Sequence, residues 1–235
     1  MKHYLKSIIK LLYKMEDLKN IETQDPDEKS CLDFLTMDKS KWTLYEQTDE
    51  YKLTHSYIQM QNPLTKSPEE KLSFCIDVTI KYPIDKVIKC LNDLEIRKTY
   101  DTLYNEGKLL SETKGNPDVY VYYLLLKMGF VFSNRDYVVQ KKVWSNYKDK
   151  KDHYLIHVIS IEHKDYPEKS DPVRGVFLNR AAYVRPGEKE GETAFTLCNC
   201  IDMKVINVGS YVAISKGTGG MKKWLNQLKD TLKKM

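Results

Sequence analysis

The sequence lacks any apolar run long enough to cross a membrane. Within its 235 residues, no stretch approaches the roughly 20 consecutive apolar residues that a membrane-spanning helix needs. No secretory signal is recognisable, the number of cysteines is odd, and no two of them form a Cys-x-x-Cys motif. We therefore expect free thiols in a reducing compartment, and a cytoplasmic protein that contacts membranes only at their surface. The cysteines are Cys31, Cys75, Cys90, Cys198 and Cys200.

Motifs of nucleic-acid binding and of catalysis are also missing. The net charge of +5 and the pI of about 8.7 are mild. Neither zinc-finger spacing nor an aromatic RNA-binding signature is present, so we expect no nucleic-acid partner. The sequence contains no Gly-x-Ser-x-Gly elbow, and no carboxylate pair is marked by apolar surroundings as an acid and base couple. We therefore expect a protein that is not an enzyme and that needs no cofactor.

Two segments resemble ligand sites only in part. Residues 210–223 place three glycines between β-branched residues and a helix, but the Walker Gly-Lys-Ser/Thr ending is missing. A helix kink or a loop is therefore favoured over a phosphate site. His153, His157 and His163 share one face of a predicted strand, but apolar residues separate them on that face. A metal ion needs its ligands at one point, so we predict no metal site.

The first 20 residues have the spacing of an amphipathic helix. Apolar residues between Leu5 and Leu12 follow the i, i+3, i+4, i+7 pattern, and a lysine recurs at every fourth position from Lys2 to Lys14. Such a helix either packs on the domain through its apolar face or lies on an anionic membrane through its basic face. The polar segment 20–30, which contains a proline, is predicted to be a linker.

The rest of the chain alternates between strand-like and helical periods. Residues 72–80 carry apolar side chains at every second position, whereas the segment after Pro83 has helical spacing. Further strands are predicted at 41–45, 51–60, 108–112, 119–127, 136–144, 153–162, 175–184 and 193–203. The apolar face of a helix at the end of the chain contains Met221, Trp224, Leu225 and Leu228. Antiparallel strands with segregated helices indicate an α+β fold.

The segment "MGFVFSNRDYVV" (128–139) joins an apolar loop tip to a charged turn. The apolar residues of this tip are Met128, Phe130, Val131 and Phe132. Such a tip either packs in the core or enters a bilayer, where burying one large side chain contributes about 1.5–3 kcal/mol. Arg135 and Asp136 are predicted to be structural, because a buried guanidinium needs acceptors that turn carbonyls and a helix terminus would supply.

Two motifs resemble one known family. "SNRDYVV" (133–139) resembles the most recognisable motif of START domains, the lipid-transfer domains related to the steroidogenic acute regulatory protein. "LEIRKTYD" (94–101) resembles that family's "RKxWD" segment, with Tyr100 in place of the usual tryptophan. The resemblance covers about residues 33–235, and its closest motif match is the phosphatidylcholine-transfer branch.

The resemblance implies a helix-grip fold. In this fold a curved antiparallel sheet wraps around a long C-terminal helix and leaves an internal tunnel for one lipid. The chain would then consist of an N-terminal basic helix with its linker (1–30) and a lipid-binding domain (31–235). The apolar loop tip would be a membrane gate beside the C-terminal helix, whose apolar face would be the lid of the tunnel.

The resemblance also implies a place for the lipid head group. In the phosphatidylcholine-transfer branch, an arginine of "RKxWD" meets the lipid phosphate and aromatic rings enclose the choline. Arg97 and Tyr137 stand at two of these positions. The other cage positions are Leu124 and Leu178, which carry no ring and are predicted to line the cavity.

Three further residues are predicted to face the ligand. Sterol-binding members of the family carry a buried acid and base, and the corresponding positions are Tyr122 and Lys141, so that pair is not reproduced. Tyr122 is predicted to line the cavity. Lys141 and Arg180 are either polar anchors for a head group or members of a solvated strand face.

We therefore expect a monomeric carrier that binds one lipid and contacts membranes transiently. A glycerophospholipid is favoured, with a sterol or a ceramide as the other candidates. A lipid sensor or membrane tether, targeted by the basic N-terminal helix, is the alternative. A catalytic member of the related helix-grip superfamily is a third possibility, but no catalytic set is evident.

Overall fold

The structure is a computed structural model that describes residues 15, 17–128, 133–205 and 209–235. Most of the predicted N-terminal helix lies outside these residues. So do Phe130, Val131 and Phe132 of the predicted gate. The division of the chain at residue 30 and the gate itself therefore remain predictions.

The described strands form one sheet. Its strands are β1 (Thr43–Gln47), β2 (Tyr51–Gln61), β3 (Pro68–Ile80), β4 (Tyr104–Thr113), β5 (Asp118–Leu126), β6 (Arg135–Ser145), β7 (Tyr154–Ser160), β8 (Val173–Arg174), β9 (Val176–Pro186) and β10 (Thr193–Asp202). Their order is β1-β2-β3-β10-β9-β7-β6-β5-β4, with β8 beside β6. All pairings are antiparallel except that of β8 with β6. The predicted α+β class is confirmed.

Helices in the described part of the chain cover the two faces of this sheet. They are α1 (Pro26–Thr36), α2 (Ile84–Asn92), α3 (Leu94–Tyr100) and α4 (Ser210–Leu232). Helix α1 packs on strands β7, β9 and β10 from the outer side, whereas α4 contacts β2, β3, α2 and α3 on the inner side. This arrangement of a curved sheet around a long C-terminal helix confirms the predicted helix-grip fold.

The period-two pattern of residues 72–80 places one face of β3 in the inner core. Ile76 and Val78 belong to the same buried cluster as Leu225 and Leu228 of α4. Cys75, which directly precedes Ile76, points to the opposite face and lies in a second cluster with residues of α1. Both faces of the central strands are therefore packed, and the inner face is the one that meets α4.

Helix α1 begins inside the segment that the sequence predicts as a linker. Pro26 occupies the first turn, and the Asp25 carboxylate accepts hydrogen bonds from the backbone N–H groups of Asp27 and Glu28 at 2.8 and 3.4 Å. Lys142 on β6 forms ion pairs with Asp25 and Asp27 at 3.1 and 2.8 Å. A proline at the first helical position and an aspartate cap start a helix here, and the ion pairs hold it against the sheet.

Helix α4 runs without interruption through the glycine-rich stretch that the sequence predicts as a kink or loop. It begins at Ser210. Gly217 lies directly against Phe74 of β3, where a Cβ atom would overlap the phenyl ring. The helix therefore uses glycine for close approach to the sheet, since this position has no room for a side chain.

Candidate functional site

A cavity lies between the inner face of the sheet and helices α2, α3 and α4. Strands β5, β6, β7, β9 and β10 form its floor. Its volume is about 70 Å³, which holds several water molecules. Pockets for drug-sized ligands usually have about 300–1,000 Å³, so a lipid can enter only if the walls move apart.

Most of the cavity wall is apolar. The predicted lining residues Tyr122 and Leu124, on β5, both contribute to it. Tyr122 is buried, and its ring stacks on that of Tyr120 with centroids 5.8 Å apart. Other apolar residues of the wall include Leu91, Val139, Ile156, Phe177 and Phe195. A wall of this composition suits acyl chains, because their transfer from water is favourable.

Arg97 is the polar residue of α3 that faces the cavity. The helix begins after Asp93, whose carboxylate accepts hydrogen bonds from the backbone N–H groups of Glu95 and Ile96 at 2.9 and 3.1 Å. One turn further on, the Arg97 guanidinium donates to Asp101 Oδ2 at 2.9 and 3.0 Å. Burial acts to lower the pKa of Arg97, but Asp101 and nearby tyrosines outweigh it and the pKa is raised.

Arg180 reaches the same cavity from β9, which contains a bulge just before it. Asn179 pairs with Cys200 on β10 and Phe177 with Ile201, so Leu178 has no partner there. The extra residue shifts the alternation of the strand, and both Phe177 and Arg180 face the cavity. The Arg180 guanidinium lies 6.0 Å from the centre of the Trp224 ring, within cation–π range.

Lys141 is the third cation of the wall. It lies on β6, and its Nζ donates to the Leu91 carbonyl oxygen at 2.9 Å and to Asn92 Oδ1 at 2.6 Å. These acceptors are at the C-terminal end of α2, where a cation is favoured. The ammonium group is therefore held at the end of a helix and has no carboxylate partner among the described residues.

The three cations act on one another through the low-dielectric interior. Burial, and then the charges of Arg180 and Arg97, lower the pKa of Lys141 to about 7. Burial, and then Arg97, lower the pKa of Arg180 to about 10, although Tyr100 and Asp101 act in the opposite direction. The cavity wall therefore concentrates positive charge, and an anionic group placed there would relieve its repulsion.

Two residues that are predicted to contact the ligand do not line this cavity. Tyr137 is completely buried beneath the cavity wall, with its ring 5.0 Å from that of Phe177 in an edge-to-face contact. Leu178 faces the outer side of the sheet and belongs to the cluster packed under α1. Tyr137 is therefore not among the residues that line the cavity, and the bulge on β9 turns Leu178 away from it.

Helix α4 closes the inner side of the molecule through the residues predicted as its lid. Trp224 lines the cavity. Met221, Leu225 and Leu228 pack in the inner core instead. The contact of α4 with the cavity is therefore one aromatic ring, while its other apolar residues fix the helix to the sheet.

Arg135 and Asp136 both have structural partners. The Arg135 guanidinium donates to the carbonyl oxygens of Ser133 and Met203, the latter at 2.5 Å, so it joins the start of β6 to the end of β10. Asp136 forms a two-pronged ion pair with Arg174 at 2.9 Å for both bonds. Both side chains are buried, and neither lines the cavity.

Sequence reasoning missed several groups that position the site. Asp101, which holds Arg97, lies four residues after it, and this spacing is itself a signal for an ion pair on one helix face. Asn92, which accepts from Lys141, and Arg174, which pairs with Asp136, carry no such local signal. Their partners come from distant parts of the chain, so only the folded structure identifies them.

Other candidate sites do not assemble in the described part of the chain. Within these ranges, no group of three or more histidine, cysteine or acidic residues is placed to hold a metal ion. The five cysteines are buried free thiols. His157 is buried on β7, whereas His153 and His163 lie outside that strand. None of the described helices has the length and hydropathy to span a membrane.

Known structures share this architecture. Human STARD10 has 18% sequence identity and a TM-score of 0.72, with 92% of this chain and 84% of that chain covered. Human StAR-related lipid transfer protein 5 has 14% identity and a TM-score of 0.71, with 96% and 98% covered. The human StarD13 (DLC2) lipid transfer and protein localization domain has 18% identity and a TM-score of 0.62, with 96% of each chain covered. At these identities the likeness shows the fold.

The sequence itself matches a family model. No curated protein matches the chain. The model of the START domain, however, matches residues 30–233. This range contains every described strand, the four helices and the whole wall of the cavity. The chain therefore belongs to the START domain family.

Proposed function

We propose that the chain binds one glycerophospholipid in the cavity and exchanges it at membrane surfaces. Its membership of the START domain family supports lipid binding and transfer. The observation that supports a phospholipid is the position of Arg97 in an otherwise apolar wall, with Lys141 and Arg180 beside it. Burying a phosphate without a partner is prohibitive, so a site for its head group requires such a cation.

The mechanism is binding without a chemical step. The acyl chains occupy the apolar part of the cavity near Leu124 and Phe177, and the phosphate lies near Arg97. The closed cavity is too small for this guest, so loading requires α4 or the neighbouring loops to move away from the sheet. The apolar loop tip, of which only Met128 lies within the described residues, remains our proposed gate.

The finer points of this proposal come from the sequence. The "SNRDYVV" motif supports the phosphatidylcholine-transfer branch as the nearest group, and with it glycerophospholipids as the ligand class. We further propose a cytoplasmic, monomeric carrier that contacts membranes transiently. The cage positions Leu124 and Leu178 carry no aromatic ring. We therefore propose glycerophospholipids as the ligand class and do not propose selectivity for choline.

The proposal is tested by removing the Arg97 guanidinium. We expect Arg97→Ala to lower the rate of phospholipid transfer between vesicles by about tenfold or more, because a charge-assisted contact to phosphate is lost. The double variant Arg97→Ala/Asp101→Asn removes the unpaired carboxylate that the single variant leaves behind. Lys98→Ala is the matched control, since Lys98 is an exposed cation on the same helix. Transfer at the normal rate by a folded Arg97→Ala protein would exclude Arg97 from the site.

The lysine stripe from Lys2 to Lys14 favours a second function, a lipid-regulated membrane tether. Deleting residues 1–14 distinguishes the two functions. This deletion spares Leu18, which is buried in the cluster under α1. A carrier keeps its transfer activity in vitro after the deletion, whereas a tether loses its binding to anionic liposomes.

A further inference from the structure

The head-group end of the cavity has more cations than carboxylates. Arg97, Lys141 and Arg180 all line it. Two carboxylates lie nearby, and both have partners. Asp93 caps α3 through its Oδ1 atom, and Asp101 accepts from Arg97 and from the backbone N–H of Leu103. Three cations against two carboxylates leave an excess positive charge. Among the described residues, no carboxylate forms an ion pair with Lys141 or Arg180.

The register of the sheet brings two of these cations into one row. Lys141 on β6 pairs with Val158 on β7, and Val158 pairs with Arg180 on β9. Neighbouring strands are about 4.8 Å apart, so the two Cα atoms are about 10 Å apart with both side chains on the inner face. Arg97 approaches the same space from α3. A phosphate is small enough to lie between such side chains, and its oxygens match the donor fork of an arginine.

Two of the aromatic rings near these cations are already covered by arginine side chains. The guanidinium of Arg97 lies over the Tyr104 ring at 5.2 Å from its centre, and that of Arg180 lies over Trp224 at 6.0 Å. A choline group binds by placing its own cation on such ring faces. Here that cation would compete with two arginines for the same rings and would be repelled by them.

We propose that this cavity selects glycerophospholipids whose head group has a net negative charge, with the phosphate held between Arg97, Lys141 and Arg180. The inference rests on the proposed function and narrows it to one ligand class. An acidic lipid offsets the excess positive charge of the wall, whereas a zwitterionic choline lipid brings a second cation into it. Selection comes from this difference, since the glycerol and the acyl chains are the same in both lipids.

The test offers both lipid classes to the protein on one surface. Purified protein is stripped of lipid and incubated with vesicles of equal parts dioleoylphosphatidylglycerol and dioleoylphosphatidylcholine. It is then separated from them, and the retained lipids are extracted and counted. Because every protein molecule meets the same anionic surface, the ratio of the two lipids reports the cavity and not attraction to the membrane. We expect about one lipid per protein and a ratio of about ten to one or more in favour of phosphatidylglycerol.

Variants assign this preference to the cations. We expect Lys141→Met and Arg180→Gln each to lower the ratio severalfold, and the charge-conserving Arg180→Lys to retain most of it. The matched controls remove cations from the outer face of the same strands. They are Lys142→Met on β6 and Arg185→Gln on β9, and we expect both to keep the wild-type ratio.

Each outcome bears on a different claim. A ratio of one or less with one lipid bound per protein overturns the preference for acidic lipids and leaves lipid carriage intact. No retained lipid of either kind overturns the proposed function as well. Binding of soluble glycerol 3-phosphate as tight as that of the lipid, measured by calorimetry, would assign the cations to a free phosphate ester instead. A loss of preference in the outer-face controls equal to that in the cavity variants would show that general surface charge is responsible.

Discussion

Lys141 is a lysine whose charge is costly in the folded protein. It is 8% exposed and faces two arginines. Its pKa of about 7 in the folded state lies below the ordinary value of 10.5. Between these values the unfolded chain binds more protons than the folded protein, so this group makes the folded state more stable as pH rises from about 7 toward 10.5.

We expect Lys141→Met to be more stable than the wild type by about 1–3 kcal/mol at pH 6, because a buried cation is replaced by an apolar side chain of similar size. The advantage should shrink by pH 9.5, where the folded wild type already carries a neutral amine. Urea unfolding of both proteins at the two pH values measures this difference. An advantage that is independent of pH would mean that Lys141 keeps its ordinary pKa.

The same lysine should link lipid binding to pH. Arg97 and Arg180 oppose its charge, and Asp93 and Asp101 are the carboxylates on the helices that face it. An acidic head group favours the charged amine, so its binding takes up a proton near neutral pH. We expect the affinity for phosphatidylglycerol to fall as pH rises from 6 to 9, and Lys141→Met to lose most of this dependence. Titration calorimetry in buffers of different ionisation enthalpy measures the proton uptake.

The family resemblance predicted the positions of some cavity residues but not of others. Arg97 and Tyr122 reach the cavity wall that the family resemblance assigned to them. Tyr137 does not, because the ring packs edge-on against Phe177 before it reaches the cavity. A tyrosine in a strand has the same local pattern whether its ring is packed or faces a ligand, so the sequence gives no means to distinguish the two.

The glycines of helix α4 show that neighbouring residues alone do not predict whether a glycine interrupts a helix. Gly217, Gly219 and Gly220 resemble a loop in sequence but lie inside a continuous helix. Gly217 contacts Phe74, whereas Gly219 faces open space. Gly217 is required because α4 approaches a strand that is almost 150 positions away in the sequence. The residues next to Gly217 therefore give no sign of this requirement.

This contrast gives a paired prediction. We expect Gly219→Ala to stabilise the protein by about 0.5–1 kcal/mol through helix propensity. We expect Gly217→Ala to be destabilising by about 1–3 kcal/mol, since its methyl group must displace the Phe74 ring. Chemical denaturation of the two variants measures the difference. Equal stabilisation by both would show that α4 has room to move away from β3.

The junction between β6 and β8 depends on one buried ion pair. Asp136 and Arg174 are 2% and 8% exposed, and two hydrogen bonds of 2.9 Å join them. Removing one partner leaves an uncompensated buried charge, so we expect Arg174→Met to cost about 3–5 kcal/mol of unfolding free energy. The double variant Arg174→Met/Asp136→Leu should recover much of this loss. A single variant with wild-type stability would show that water reaches the Asp136 carboxylate.

The bulge in β9 is an element-scale feature that the period-two pattern does not reveal. Residues 175–184 were predicted as one strand without a bulge, and Leu178 was assigned to the cavity because the family resemblance places it at a cage position. In the structure, β9 has one extra residue opposite β10. The residues before Leu178 therefore face the opposite side of the sheet from the one that an unbroken strand would give them. Apolar residues occupy both faces of this buried strand, and for that reason a shift of one position leaves no mark in its hydropathy.

At the scale of the whole molecule, the closed cavity is too small for a lipid. The stability of the folded protein should therefore report whether a lipid has entered it. A ligand that binds only the folded state stabilises it by about 2.7 kcal/mol at a concentration 100-fold above Kd. For a protein of this size, that corresponds to a rise in Tm of roughly 5–11 °C. We expect phosphatidylglycerol to raise the Tm of the delipidated protein in this range and to raise that of Arg97→Ala much less. Equal shifts in both proteins would show that Arg97 does not contribute to lipid binding.

The fold as a whole was predicted through two short motifs and the order of the periodic segments. The order of strands in the sheet was not, because strand pairs far apart in sequence leave no local signal. Cys75 of β3 and Cys198 of β10 lie opposite each other although 123 positions separate them. Likewise, the three cations of the cavity come from α3, β6 and β9, and only the closed sheet brings them together.

The pairing of β3 with β10 also determines when β3 gains its second neighbour during biosynthesis. While a ribosome is still making the segments before Thr193, β3 has β2 on one side and nothing on the other, since its second neighbour has not yet been translated. An unpaired strand of this kind is open to association with other chains. Slow translation after Ile80 would therefore prolong the exposure of the nascent sheet, and the arrival of β10 is the event that ends it.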